Sequence, residues 1–147
     1  MNQDTDALCV RALEAQDLAA AYAVLRQLRP HLTWELFLER LARQQRSHGY
    51  TLIGAFQSGK LVGVLGMRPL ETMARGQHLH IDDLVVANQA RRRGVGRQLL
   101  LYAERTARER GFDAVFLDSR AEALPFYAAL GYRPHTATVM RKDFVET

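Results

Sequence analysis

Seven residues near the middle of the chain, Arg91-Arg92-Arg93-Gly94-Val95-Gly96-Arg97, combine two things a phosphate group needs: main chain that can come close, and fixed positive charge. They follow the apolar run Leu84-Val85-Val86 and open a segment with Val95, Leu99, Ala103 and Ala107 at helical spacing. Glycine at such a strand-to-helix turn lets the backbone approach a ligand. The first turn of a helix offers N–H groups without intrahelical acceptors and the positive end of the dipole. Phosphate binds there readily, and arginine adds charge-assisted bonds. The pattern is not the dinucleotide fingerprint, which needs a third glycine, nor a Walker loop, which needs Gly-Lys-Ser/Thr. A solvated arginine run beside a tight turn would read the same way, so the residues alone leave both open.

A second group of chemically active residues stands just upstream, in His80-Ile81-Asp82-Asp83-Leu84-Val85-Val86. Aspartate is depleted in strands, and a local breach of propensity marks places where function is expected. Strand alternation puts His80, Asp82, Leu84 and Val86 on one face, with Asp83 and Val85 on the other. Imidazole has an intrinsic pKa suited to proton transfer. Paired carboxylates suit a base or a ligand for a cationic amine, and equally suit a turn cap or a structural ion pair.

The elements that must position these groups can be read from spacing. Leu8 to Leu13 alternates as a first strand. Asp17 to Leu28 has Leu18, Tyr22, Leu25 and Leu28 at helical intervals, with Pro30 beyond. Thr33 is an N-cap for a second helix that Gly49 stops. Thr51–Phe56 and Leu61–Met67 form a hairpin across Gln57-Ser58-Gly59-Lys60. Glu71 to Gln77 reads as loop, Leu79 to Val86 as strand, and Ala114 to Leu117 as a short buried strand. A brief helix spans Glu122 to Leu130, with Pro125 in its first turn and Gly131 as its stop. Thr136 to Phe144 reads as a last strand. The order implies a mixed sheet flanked by helices.

Composition bounds the reading. At 147 residues, 48% apolar and 24% charged, the chain suits one globular domain with its own core. Its single cysteine, Cys9, excludes a disulfide framework and a Cys-rich zinc site. No apolar run nears the ~20 residues of a membrane span, and the polar start is unlike a signal peptide, so a cytoplasmic setting is expected. The net charge of +4 is local. Asn88 to Gly111 holds seven arginines and two glutamates, a net of +5, so the remainder carries −1. One basic segment points to one anionic ligand rather than to a nucleic acid or an anionic membrane.

Three motifs, in order, resemble the GCN5-related N-acetyltransferase (GNAT) family. Arg91-x-x-Gly94-x-Gly96 resembles its Arg/Gln-x-x-Gly-x-Gly/Ala loop. Phe126-Tyr127-Ala128-Ala129-Leu130-Gly131-Tyr132 is similar to its Phe-Tyr-x-x-x-Gly-Phe/Tyr signature. His80 to Val86 resembles the strand before the loop. The resemblance covers nearly the whole chain. It implies an α+β, three-layer fold in a single domain, residues 1–147, with a mixed, mostly antiparallel sheet of six to seven strands and about four helices. It also implies an enzyme that passes the acetyl group of acetyl-coenzyme A to a primary amine of a small molecule or peptide by direct attack, without a metal.

Residue by residue, the resemblance implies that pantetheine lies beside Leu84, Val85 and Val86. The pyrophosphate sits over N–H groups of Arg93, Gly94, Val95, Gly96 and Arg97, and Arg91 and Arg92 add charge. Tyr127 matches the tyrosine that protonates the departing thiolate, and an N–H around Val85, where the strand bulges, stabilises the oxyanion. Asp82 matches a carboxylate base of some members. His80 stands where others carry glutamate, and Asp83 is placed to orient the amine. Ser119 is a weaker coenzyme contact, because Asp118-Ser119-Arg120 replaces the family's asparagine. Direct attack makes Cys9 a core residue rather than a nucleophile. A homodimer through the last strands is a further expectation. Two other classes remain at this stage: a non-catalytic acyl-CoA binding domain, and a nucleic-acid binding module.

Overall fold

Alternating and continuous apolar runs become five strands, and helical spacing becomes four helices, in a computed structural model that describes residues 7–90 and 94–145. Strand β1 (Leu8–Ala12) leads through a 3₁₀ turn to α1 (Leu18–Leu25) and α2 (Trp34–His48). Then come β2 (Thr51–Gln57), β3 (Lys60–Thr72), β4 (Gly76–Val86), α3 (Val95–Glu109), β5 (Ala114–Leu117) and α4 (Leu124–Ala129). The punctuation is as the sequence implies. Thr33 Oγ1 accepts from the Leu36 N–H at 3.1 Å, Gly49 ends α2 in the left-handed region, and Pro125 opens α4.

The sheet runs β1-β2-β3-β4-β5 in space. Its first three pairings are antiparallel and β4–β5 is parallel. Both faces are covered, which is why β2 and β3 read as near-continuous apolar runs. On one face α3 lays Val95, Leu99, Leu100, Ala103 and Ala107 over Ile53, Leu65, Met67, Leu79 and Ile81. On the other, α1 and α2 bring Ala21, Val24, Leu25, Phe37 and Leu41 onto Leu52, Val64 and Val85. This is a three-layer α+β fold, with the sheet sandwiched between the two helix pairs.

Four expectations are corrected. The described residues hold five strands, not six to seven. Thr136 to Phe144, read as a last strand, forms none: residues 133–145 are all exposed, with Val139 at 80%, Met140 at 90% and Phe144 at 90%. A strand needs an edge to pair with, and this segment does not pair with β5. Glu71 to Gln77 is not loop, because β3 continues to Thr72 and β4 starts at Gly76, leaving only Met73-Ala74-Arg75 as the turn. Cys9 is exposed on β1, an edge strand, rather than in the core.

Candidate functional site

Helix α3 starts without a cap. Gly94 sits before it at φ 76°, a left-handed conformation that only glycine adopts cheaply. It has no side chain to satisfy the helix, and the first intrahelical bond runs from the Gln98 N–H to the Gly94 carbonyl at 3.1 Å. The N–H groups of Val95, Gly96 and Arg97 therefore point outward without an intrahelical acceptor. No acidic residue occupies the first turn, so the positive end of the dipole is uncompensated. Arg91, Arg92 and Arg93 lie outside the described residues.

Next to this turn is the end of β4. A Cβ placed on Gly96 would lie 3.1 Å from Phe126 Cζ and 3.7 Å from Val86 Cγ2. The α3 turn, the end of β4 and the start of α4 thus meet at one place. Here β4 has a free edge. Its pairing with β5 stops at Ile81 opposite Leu117, while β4 itself continues to Val86. Past that point the Ala87 N–H donates to the Val62 carbonyl at 2.8 Å, and Val86 lies opposite Gly63. Antiparallel alternation then turns the polar groups of Val85 inward to β3 and those of Leu84 and Val86 outward to the free edge. An extended polar ligand could add there as a strand does.

The strand does not alternate simply. Asp83 lies opposite Gly66 and Ile81 opposite Met67, so Asp82 is the extra residue of a β-bulge. The bulge lies at Asp82 and not around Val85, which pairs regularly with Val64. It changes one part of the expected face assignment. Leu84 and Val86 share one face and Asp83 and Val85 the other, as expected, but Leu79 and Ile81 join Leu84 and Val86 in the α3 layer, which takes His80 off the face of Leu84.

Both carboxylates have partners. Arg68 Nε donates to Asp82 Oδ2 at 2.7 Å. Tyr50 Oη donates to Asp83 Oδ2 at 2.7 Å, and Arg29 Nε lies 3.4 Å from Asp83 Oδ1. An Arg29 guanidinium N–H also reaches the Asp82 carbonyl at 3.3 Å. The pair is therefore an organised ion-pair cluster, not two free negative charges. His80 Nε2 lies 3.8 Å from Asp82 Oδ1 and 3.9 Å from Asp118 Oδ2, and its Nδ1 is buried with no partner among the described residues. Burial pushes the imidazole below its ordinary pKa, against the opposing pull of Asp82. His80 is thus neutral at pH 7 and able to take a proton.

Tyr127 is half-buried on α4, edge-on to Phe126 at 5.1 Å and Tyr132 at 5.9 Å. Its hydroxyl has no hydrogen-bond partner among the described residues, and burial raises its pKa, so it stays a donor. Tyr127, His80, Leu117 and Ser119 line one open cavity of about 1260 Å³ beside β5. The Ser119 hydroxyl itself is spent on the Arg120 carbonyl at 2.8 Å. Asp83 lines a second, smaller cavity of about 290 Å³ under α1 and α2.

Sequence reasoning missed Arg29, Tyr50 and Arg68. They lie far from β4 along the chain, and no local pattern announces them. Trp34 packs among Tyr22 and Phe37, with ring centroids 5.4 and 5.7 Å away, and is 37% exposed. Glu71 is exposed at the far end of β3, away from the bulge.

Comparisons with known proteins bear on what this arrangement does. A model described as the acetyltransferase (GNAT) family matches residues 13–132. The chain is 33% identical over 132 residues to a glucosamine 6-phosphate N-acetyltransferase of Trypanosoma brucei brucei, covering 86% of this chain and 89% of that one. It is 32% identical over 115 residues to the uncharacterized N-acetyltransferase YhdJ of Bacillus subtilis, covering 76% and 81%. A solved aminoglycoside N-acetyltransferase in complex with CoA superposes with a TM-score of 0.82 over 99% of this chain and 100% of that one. At 16% identity, that last likeness is one of fold.

Proposed function

The chain belongs to the GNAT family of acetyltransferases and is an N-acetyltransferase, and from that premise we propose that it passes the acetyl group of acetyl-coenzyme A directly to a primary amine of a small molecule in a ternary complex. The observation that carries this reading is a convergence: the uncapped first turn of α3, the free edge of β4 and the start of α4, which bears Phe126 and Tyr127, meet at one place. That region fits the coenzyme in parts. Outward N–H groups of Val95, Gly96 and Arg97 suit its pyrophosphate, with Gly94 supplying the turn and Arg91, Arg92 and Arg93 the charge. Leu84 and Val86 offer main-chain groups to its amide-bearing arm, and Val85 anchors the strand to β3. Ser119 borders the arm's cavity.

Acetyl-coenzyme A supplies a thioester whose acyl carbon is open to an amine. The residues of this chain do the rest. An outward N–H of Leu84 or Val86 stabilises charge building on the carbonyl oxygen. Tyr127 donates its proton to the departing thiolate. His80, kept neutral by burial, takes a proton from the acceptor ammonium, directly or through water, and so frees the amine lone pair that attacks. Asp82, tied to Arg68, positions His80 rather than acting as the base itself, and Asp83 with Tyr50 and Arg29 shapes the acceptor side. Small-molecule acceptors are favoured by the names of the relatives, whose printed substrates are glucosamine 6-phosphate and aminoglycosides. A cytoplasmic setting belongs to the same proposal.

Calorimetry with acetyl-coenzyme A, followed by thiol release over a panel of amines, tests the reading; no saturable coenzyme binding would overturn it. The pH profile tests the base. Because burial lowers the His80 pKa, kcat/KM should hold from neutral pH downward and fall only as pH drops below ~6.5. His80→Gln should remove that acid limb and slow turnover by about tenfold to a hundredfold. A limb that survives the substitution would assign the base elsewhere.

The homodimer belongs to the proposal as well. The exposed segment 133–145 carries Val139, Met140 and Phe144, and β5 is an edge strand, so two copies could pair there and bury both features. Sedimentation of the full chain decides it; a monomer at micromolar concentration would refute the pairing.

A further inference from the structure

Charge bookkeeping in the cavity at Asp83 leaves a cation unassigned. This pocket of about 290 Å³ has an apolar floor of Leu25, Leu32, Phe37, Leu41 and Tyr50, and its polar lining is Arg29, His31, Arg40, Gln44 and Asp83. Arg29 and Asp83 neutralise one another across 3.4 Å, and the remaining Asp83 oxygen takes the Tyr50 hydroxyl. Arg40 is different. Its neighbour Glu39 is committed to Arg43 one turn on, and Arg40 itself forms no ion pair among the described residues. Residues 37, 40, 41 and 44 fall on one face of α2, three and four apart. That spacing brings Arg40 and Gln44, on successive turns, to the lining of the same cavity, which His31 also lines. Two arginines against one aspartate leave the lining with a net positive charge, and donors outnumber acceptors around it.

We infer that this cavity is an anion subsite of the acceptor, in which Arg40, assisted by Gln44 and His31, holds a phosphate or carboxylate carried by the amine substrate. The inference rests on the acetyltransferase reading and narrows it to a small amine with an anionic group some atoms from its nitrogen. Guanidinium suits both anions because its planar donors bind either in a forked geometry. The volume suits the body of a small metabolite: at ~30 Å³ per water it holds on the order of ten water-sized groups. Position fits too. Asp83 in the cavity and Leu84 at the free edge are adjacent in the chain, so their Cα atoms are ~3.8 Å apart. The cavity thus adjoins the strand whose free edge would hold the coenzyme arm.

The test uses the full chain saturated with acetyl-coenzyme A, so that the α3 turn is already filled. Titration with inorganic phosphate, and separately with acetate, should show saturable binding that Arg40→Ala abolishes and Arg40→Lys partly keeps. The anion that binds more tightly identifies the source. Matched pairs of primary amines are then compared, one member bearing a phosphate or carboxylate and the other a hydroxyl or amide. Wild-type protein should favour the anionic member, and Arg40→Ala should raise its KM about 10- to 100-fold with kcat little changed, collapsing the preference. Equal use of both members, with no saturable anion binding, would overturn the subsite while leaving the transferase reading intact. Absence of coenzyme binding in the first step would instead strike at that reading.

Discussion

Tyr127→Phe should lower kcat by about a hundredfold or more while leaving the affinity for acetyl-coenzyme A nearly unchanged. The ring is held by its edge-on contacts with Phe126 and Tyr132, and phenylalanine keeps those contacts. What is lost is one hydroxyl that has no structural bond among the described residues and whose proton burial retains well past neutral pH. A group without a structural partner contributes little to folding when removed, so the melting temperature should stay within a degree or two of wild type. The deficit should also depend on the leaving group. A thioester with a more acidic thiol needs less help from a proton donor, and the gap between variant and wild type should narrow with it. Steady-state kinetics with coenzyme analogues measures this. Unchanged kcat with the natural thioester would remove Tyr127 from the chemistry and leave it a packing residue.

Gly66→Ala should destabilise the fold by about 2–5 kcal/mol and damage the acceptor side at the same time. Gly66 lies opposite Asp83, where the bulge begins. A methyl group there would overlap the Tyr50 side chain, its Cβ falling 2.5 Å from Tyr50 Cζ. Tyr50 is only 6% exposed and cannot swing into water, and its hydroxyl is the donor to Asp83. The clash therefore costs packing and a buried charge-assisted bond together. Tyr50→Phe isolates the second part and should cost about 1–3 kcal/mol. Denaturant melts of the two variants separate the contributions. Equal losses in both would show that the backbone gives way without overpacking, and that the close approach at Gly66 is not the constraint.

Much of the scaffold could be read from local pattern, because its causes are local. The α3 face of Val95, Leu99, Ala103 and Ala107, the Thr33 cap, the Gly49 stop and Pro125 all act within a few residues of where they stand. The glycine turn was legible for the same reason. The bulge at Asp82 was not. Strict alternation follows from an unbroken pleat, and one inserted residue shifts the faces on its two sides relative to each other, which here separates His80 from the face of Leu84. Its only trace in the sequence was a pair of aspartates where strands seldom have them. Arg29, Arg68 and Tyr50 escaped because each reaches β4 from another element, so their roles arise only once the chain has folded. The Thr136 to Phe144 segment shows the opposite limit. Its composition suits a strand, but strand formation is a property of two segments, and this one does not pair with the β5 edge.

The aromatic cluster of Tyr22, Trp34 and Phe37 gives the chain an optical reporter of its own. Trp34 is the only tryptophan, so the emission band belongs to one indole at the start of α2. Phe37 packs against that indole at 5.7 Å and also lines the Asp83 cavity. The Tyr22 hydroxyl holds the carbonyl of Leu32, which lines it as well. An occupant that shifts either residue changes the polarity around a half-exposed fluorophore. Acceptor binding can then be followed by fluorescence without a label, in the presence of coenzyme and before any acetyl group moves.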